Sequence, residues 1–434
     1  MGIFQEQNRQ EMRHQIGRNT GDVLISEVTA TVDTASLQDT LGLARFNDDD
    51  INGRRVLIYD ATGSIVDGEE SYVLDFDGGT SDATMAPVFT AALTDGDKYE
   101  MWATLIPDEV DDAINQAIID VSNRALVDRV TDSNWTQENK YIYDWLVPYA
   151  FGDDFKAVYK VEYCAEVKTY EVIHACDVVW DELVDTDVTE TLDTTFKVEG
   201  TGSLKLVVAA GCAAGDILAT MDITAVDISD CNVLEIWIYS SVALDAGDIE
   251  VLLDNTASCA SPLETLDIPA TSANTMTRHV IDLANPKSDT AIISVGLNMA
   301  VDKGAFTLWA DDIRTTDSES KRYNELPAEY WRINRGSSPT LALDSTGLAI
   351  VGDYTQMRIS GFSSPDLLTD DTTDCEVDPS FIVHWATAHL LLNHSKSASL
   401  ELENRQNIGD RHIAMAQEIK ASLVPNYPPN TRFV

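Results

Sequence analysis

Apolar residues recur along this chain with two different periods, and the changes of period mark out its regions. From residue 21 to about 105 they fall in short runs between Asp/Gly turns. Residues 51–60 (INGRRVLIYD) precede a turn at Gly63. Residues 72–77 (YVLDFD) lead into Asp77-Gly78-Gly79, and residues 88–93 and 98–105 continue the series. Short alternating runs closed by such turns predict a small β barrel or sandwich. At Pro107 the period lengthens. Val110, Ile114, Ile118, Val121 and Ala125 recur at steps of three and four, which predicts a helix. Asp108, Glu109, Asp111 and Asp112 at its start, with Arg124 and Arg129 at its end, suit the helix dipole.

Residues 158–164 (VYKVEYC) return to alternation, and from 176 to 316 it dominates. Leu234, Ile236 and Ile238 share one face of a run, as do Ile249, Val251 and Leu253, and Phe306, Leu308 and Ala310. Turn signals at Gly200-Thr201-Gly202, Ala246-Gly247-Asp248 and Asp302-Lys303-Gly304 complete the signature of an all-β sandwich. A charged linker (318–326) leads to strands within 341–359 and then to two helices, 380–394 and about 398–423. The second carries Ile408, Met415, Ile419 and Leu423 on one stripe. Pro425, Pro428 and Pro429 force the tail around Tyr427 to run extended.

The expected fold class is therefore α+β and multidomain: a β-rich N-terminal region and a helical assembly domain, interrupted by an all-β jelly-roll sandwich. Expected boundaries are a polar N-terminal arm (1–20), a small β domain (21–105), and helix and strands of the assembly domain (106–175). The inserted sandwich (176–316) and the return of the assembly domain with its helices and tail (317–434) follow.

Charge narrows the function. The 434 residues hold 73 acidic and 29 basic side chains, a net charge of −44. Gripping nucleic acid requires clustered Lys and Arg, so such a role is disfavoured. Self-repulsion of this size calls for a saline medium or bound cations. No apolar run approaches the ~18 residues of a membrane span. Six scattered cysteines (164, 176, 212, 231, 259 and 375) form no CxxC pair and read as free thiols. The chain has no GxSxG, HExxH, Walker loop or βαβ-placed GxGxxG, so it is read as no enzyme. His384, His389 and His394 are spaced by five, which turns each about 140° from the last on a helix, so they share no face.

The middle segment resembles the jelly-roll modules of carbohydrate-binding domains. The resemblance lies in Trp180-Asp181, residues 196–206 (FKVEGTGSLKL), Asp227-Ile228-Ser229, residues 234–239 and the closing FTLWADDI at 306–313. The flanks resemble virion proteins of tailed phages in residues 96–100 (GDKYE), 326–331 (LPAEYW) and 359–369 (ISGFSSPDLLT). The helical ending with Ala386 and Leu390-Leu391 is similar to head-to-tail adaptor subunits.

These resemblances imply a structural subunit of the virion neck that joins portal to tail in a homo-oligomeric ring. DNA would pass through without specific binding, no membrane would be involved, and the sandwich would project outward. The alternatives are a decoration or adhesion protein with a glycan-binding head, and a secreted carbohydrate-active enzyme. A structural Ca²⁺ is implied at Glu199 and at Asp311 or Asp312, hard oxygens on neighbouring strands. Trp237, Tyr239 and Trp309 alternate with core residues and would present an aromatic face to sugar. Assembly contacts are expected from Arg9, Arg13 and Arg18 in the arm, from Ile408, Met415 and Ile419, and from Tyr427.

Overall fold

The computed structural model describes residues 6–137, 139–145, 155–336, 338–393, 402–423 and 427–434. They form two compact units. The first takes in the described residues within 1–129, 146–157 and 361–434, and the second those within 130–145 and 158–360. Five α-helices are described: α1 (Arg9–Thr20), α2 (Pro107–Val121), α3 (Ser345–Val351), α4 (Pro379–Asn393) and α5 (Leu402–Ser422). None is long and apolar enough to cross a membrane.

In the first unit, a six-stranded antiparallel sheet runs in the order Val23–Glu27, Lys98–Trp102, Arg55–Asp60, Glu70–Asp77, Asp82–Ala86, Ser36–Gln38. Val56, Ile58, Val73, Phe76, Tyr99 and Met101 fill its core. Residues 88–93 differ from expectation. They form no strand, and Phe89 and Leu93 are buried singly, each segment held by isolated backbone bonds to Thr34 and Val32.

Helices α1, α2, α4 and α5 share a second core that includes Met12, Ile16, Val110, Ile114, Phe381 and Ala416. Asn8 caps α1 by accepting from the Glu11 N–H, and Gly21 ends it at φ 70°. The polar arm expected over 1–20 is thus corrected for residues 9–20. Met12 and Ile16 are the only large apolar residues of α1 that are buried, too few to show a stripe in the sequence. Helix α2 opens at Pro107 as predicted but stops at Val121. Arg129 belongs instead to the strand Val127–Trp135.

In the second unit, two antiparallel sheets enclose one apolar core. The first runs Val188–Asp193, Ser203–Val208, Phe306–Thr316, Val233–Ser240, Thr277–Asp282, with Tyr170–His174 also paired to Phe306–Thr316. The second runs Leu183–Val184, Asp216–Val226, Ile292–Met299, Ile249–Asp254, Glu264–Asp267. The predicted inward sets, Leu234/Ile236/Ile238 and Leu308/Ala310 among them, lie in this core. The sandwich begins at Tyr170, before the expected 176. Beside it lie strands Lys321–Glu325, Phe155–Val167, Gln356–Ser363 and Val127–Trp135, most of whose residues fall in this unit.

Candidate functional site: the outer face of the sandwich

Strand alternation puts Leu206, Leu308, Ile238 and Ile236 inward, so Lys205, Trp309, Tyr239 and Trp237 face outward from the same sheet. That face has two halves. In one, Trp309, Tyr239 and Phe196 meet edge to face with ring centroids 4.6–5.3 Å apart, and all three are partly exposed. Trp309 Nε1 donates to Asp193 at 3.1 Å, and the Tyr239 hydroxyl donates to Asn274 at 3.1 Å. The Trp309 and Phe196 N–H groups hold the Asp193 carboxyl well below the usual carboxylate range. Lys205 Nζ stands 5.1 Å from the Trp309 ring centre.

In the other half, Trp237 is covered. It is 4% exposed, with Trp135 and Tyr354 packed edge-on at 6.0 and 5.6 Å. The expectation of three aromatics on one open face is corrected at this residue. Tyr239 and Trp309 remain accessible, and Phe196, which the sequence reading placed only in a motif, joins them.

A β-bulge explains the closing Asp-Asp pair. Asp312 sits at φ 47°, where the register between Phe306–Thr316 and Val233–Ser240 shifts. The extra residue lets Asp311 and Asp312 both serve the outer side. Asp311 Oδ2 accepts from the backbone N–H groups of Val198 (2.6 Å) and Glu199 (3.1 Å). Asp312 Oδ2 accepts from Arg278 at 2.7 Å and also contacts Arg314. Arg278 then bridges to Glu235 (2.7 Å), whose other oxygen takes Lys321 (2.6 Å), while Arg314 also holds Glu199 (2.6 Å). Three carboxylates meet three cations.

Burial pushes the Glu235 carboxyl up, but Arg278 and Lys321 outweigh it and hold it at about 2. The cluster borders a cleft of about 390 Å³ walled by Trp135, Trp237 and Tyr354.

The donor set expected for Ca²⁺ does not fit an oxygen cage. The Arg314 guanidinium lies between Glu199 and Asp312 and takes oxygens of both, where a divalent cation would be repelled. Asp311 stands apart. Its Oδ1 is buried without a hydrogen-bond partner, and burial lifts its carboxyl to about 6. Among the described residues, metal-ligating atoms gather elsewhere, at Asp185, Cys212 and Asp216, within 4.8 Å of one another. Burial and the nearby acids push the Cys212 thiol up to about 11, so it stays protonated. All six cysteines are free, and five are buried.

The expected assembly contacts lie in the first unit, and several are engaged within it. Arg13 is 1% exposed and binds Glu100, Asp111 and Asp371. Arg9 holds Asp371 at 2.7 Å. A guanidinium buried among its own unit's carboxylates cannot dock a neighbour, which corrects the role expected of Arg13. Arg18 is exposed in the last turn of α1. Ile419 packs on the helical core, while Ile408 and Met415 are half-buried. Tyr427 packs edge-on against Phe362 (5.6 Å) and Phe433 (5.1 Å), so part of the predicted tail folds on its own unit. Pro425, the helix start at 398–401 and His394 lie outside the described residues. His384 faces a residue the sequence reading passed over, His412 of α5, and His389 stacks on Trp385.

No protein-family profile and no curated protein sequence matches the chain. Similar solved structures include the family 11 carbohydrate-binding module of a cellulosomal cellulase of Clostridium thermocellum. It shares 11% identity over 35% of this chain and 97% of that one, at TM-score 0.26. The family 30 module of another cellulosomal cellulase of that organism shares 15% identity over 35% and 99%, at TM-score 0.24. An exo-β-agarase shares 12% identity over 32% of this chain and 24% of its own, at TM-score 0.24.

Proposed function

We propose that this protein is a non-catalytic structural subunit of a tailed-virus particle, a ring-forming adaptor at the neck between portal and tail. The observation that carries the reading is architectural. Arg13 of α1 binds Asp371 at 2.6 Å, and α1, α2, α4 and α5 share one core. The first unit is thus built from chain on both sides of the sandwich, which supports reading the sandwich as an insertion. The likeness of residues 96–100, 326–331 and 359–369 to virion proteins supports the same reading. A net charge of −44 suits a ring through which DNA passes without adhering. Identical subunits meeting head to tail must close or grow as filaments. Cryo-microscopy and mass photometry of the full chain in molar salt should show closed rings. A monomer at every concentration tested would overturn the reading.

One observation favours a second reading, a decoration or adhesion protein with a glycan-binding head. The Trp309–Tyr239–Phe196 cluster is half-exposed and offers ring faces of the kind that stack on sugars. A glycan array probed with the full chain and with Trp309→Ala should show binding that the substitution removes. Background signal from the unsubstituted chain retires this reading.

A further inference from the structure

We infer that His384 and His412 form a binding site for a late first-row divalent metal ion at the seam of α4 and α5. The two Nδ1 atoms face each other at 3.0 Å. Two nitrogens each about 2.0–2.1 Å from one ion stand about 2.9 Å apart at a right angle and about 3.4 Å apart at the tetrahedral angle. The observed separation falls inside that bite. Helix packing sets it. Gly409 lets α5 approach α4 so closely that a Cβ there would stand 2.9 Å from the Leu392 side chain. Phe381 and Ala416, in the shared core one turn away from each histidine, hold the two helices at this point.

Both imidazoles are half-buried, and burial lowers both below the ordinary histidine value, so both are neutral ligands near pH 7. One Nδ1–H···Nδ1 hydrogen bond satisfies the pair without metal. Binding moves that proton from Nδ1 to Nε2 of the same ring, so the charge of the protein does not change. Water completes the coordination shell. Imidazole nitrogen selects Cu²⁺, Ni²⁺ and Zn²⁺ over Ca²⁺ and Mg²⁺, which prefer oxygen.

Selectivity is the test, because 73 carboxylates bind any divalent cation loosely. The tag-free full chain is titrated with NiCl₂ or ZnCl₂ in excess MgCl₂, followed by calorimetry and melting temperature. Cu²⁺ binding is followed by electron paramagnetic resonance. One ion per chain should survive the magnesium, raise the melting temperature and show coupling to two imidazole nitrogens. His384→Ala and His412→Ala should each weaken it about tenfold or more. Circular dichroism and metal-free melting establish that these variants fold. His389→Ala, on the same helix but stacked on Trp385, should bind as the parent does. The inference falls if no ion persists in excess magnesium, or if the double variant binds as the parent does.

Discussion

Arg13 in the first unit and Arg278 in the second each centre a buried ion cluster of the same make, and their surroundings set them apart. Both guanidiniums are 1% exposed at the side chain and engage at least two carboxylates. Arg13 uses Nε and both Nη groups, on Glu100, Asp111 and Asp371, so it ties α1 to the strand Lys98–Trp102, to α2 and to a loop 358 residues away. Arg278 uses only its Nη groups. Its Nε is buried without a partner, and the guanidinium lies against the rings of Trp135 and Trp237 at 5.2 and 5.6 Å, at the edge of a cleft. A buried guanidinium among carboxylates thus acts as a sealed joint in one place and as the wall of a cavity in the other. Partner count and surroundings, not residue type or burial, decide which.

The comparison can be broken from the Arg13 side first. Glu100 is fully buried, and although burial pushes its carboxyl up, His14 and Arg13 hold it below the ordinary range. Arg13→Ala leaves the Glu100 charge only His14 and the Trp102 N–H, and leaves Arg9 alone to hold Asp111 and Asp371. Unfolding by urea should show a loss of about 3–5 kcal/mol. A loss under 1 kcal/mol would mean the joint is not what holds the ends of the chain together. Arg278→Ala should cost less, about 2–3 kcal/mol, because Glu235 keeps Lys321 and Asp312 keeps Arg314. Equal losses at the two sites would erase the distinction between joint and wall.

Acid titration separates the clusters by sign. Glu235 sits at about 2 in the folded chain against an ordinary 4.5. Its contribution is present above 4.5 and is lost as the pH falls toward 2. Asp111 behaves the other way. Burial outweighs Arg13 and Arg9 and lifts it to about 6 from 3.8, so the fold is favoured by its protonated form and loses stability as the pH rises from about 4 to 6. Denaturant midpoints measured from pH 3 to 7 should flatten at the acid end in Glu235→Gln and between pH 4 and 6 in Asp111→Asn. Each change is on the order of 2 kcal/mol. Identical profiles for both variants would contradict the opposite signs.

How far these features could be read from the sequence depends on how local they are. The sandwich shows because Leu234, Ile236 and Ile238 repeat at period two within a single run, and the same holds for Phe306 and Leu308. The α2 stripe shows for the same reason. Parity also places Trp237, Tyr239 and Trp309 outward correctly, but it is silent on what covers a face. Trp135 and Tyr354, which bury Trp237, are more than a hundred residues away. The Asp311-Asp312 pair is visible as a motif, yet its division of labour depends on a bulge that no pattern marks. Arg13 looks like any basic residue near a terminus, because its partners lie 87, 98 and 358 positions on. His384 reads as one of three evenly spaced histidines until α5 brings His412 against it from 28 residues away.

The smallest effect tests the open half of the sandwich face. Lys205 and Trp309 are directly paired across neighbouring strands, with the ammonium 5.1 Å from the ring centre. At a half-exposed site this attraction is worth about 0.5–1 kcal/mol, less than for the desolvated Arg278 between its two rings. A double-mutant cycle of Lys205→Ala with Trp309→Phe should return a coupling of that size, and it should shrink little in molar salt because the two groups touch. A coupling of zero would mean that Lys205 leaves the ring uncovered. Trp309 would then be a bare platform, and the contrast between the closed half around Trp237 and the open half around Trp309 would become sharper.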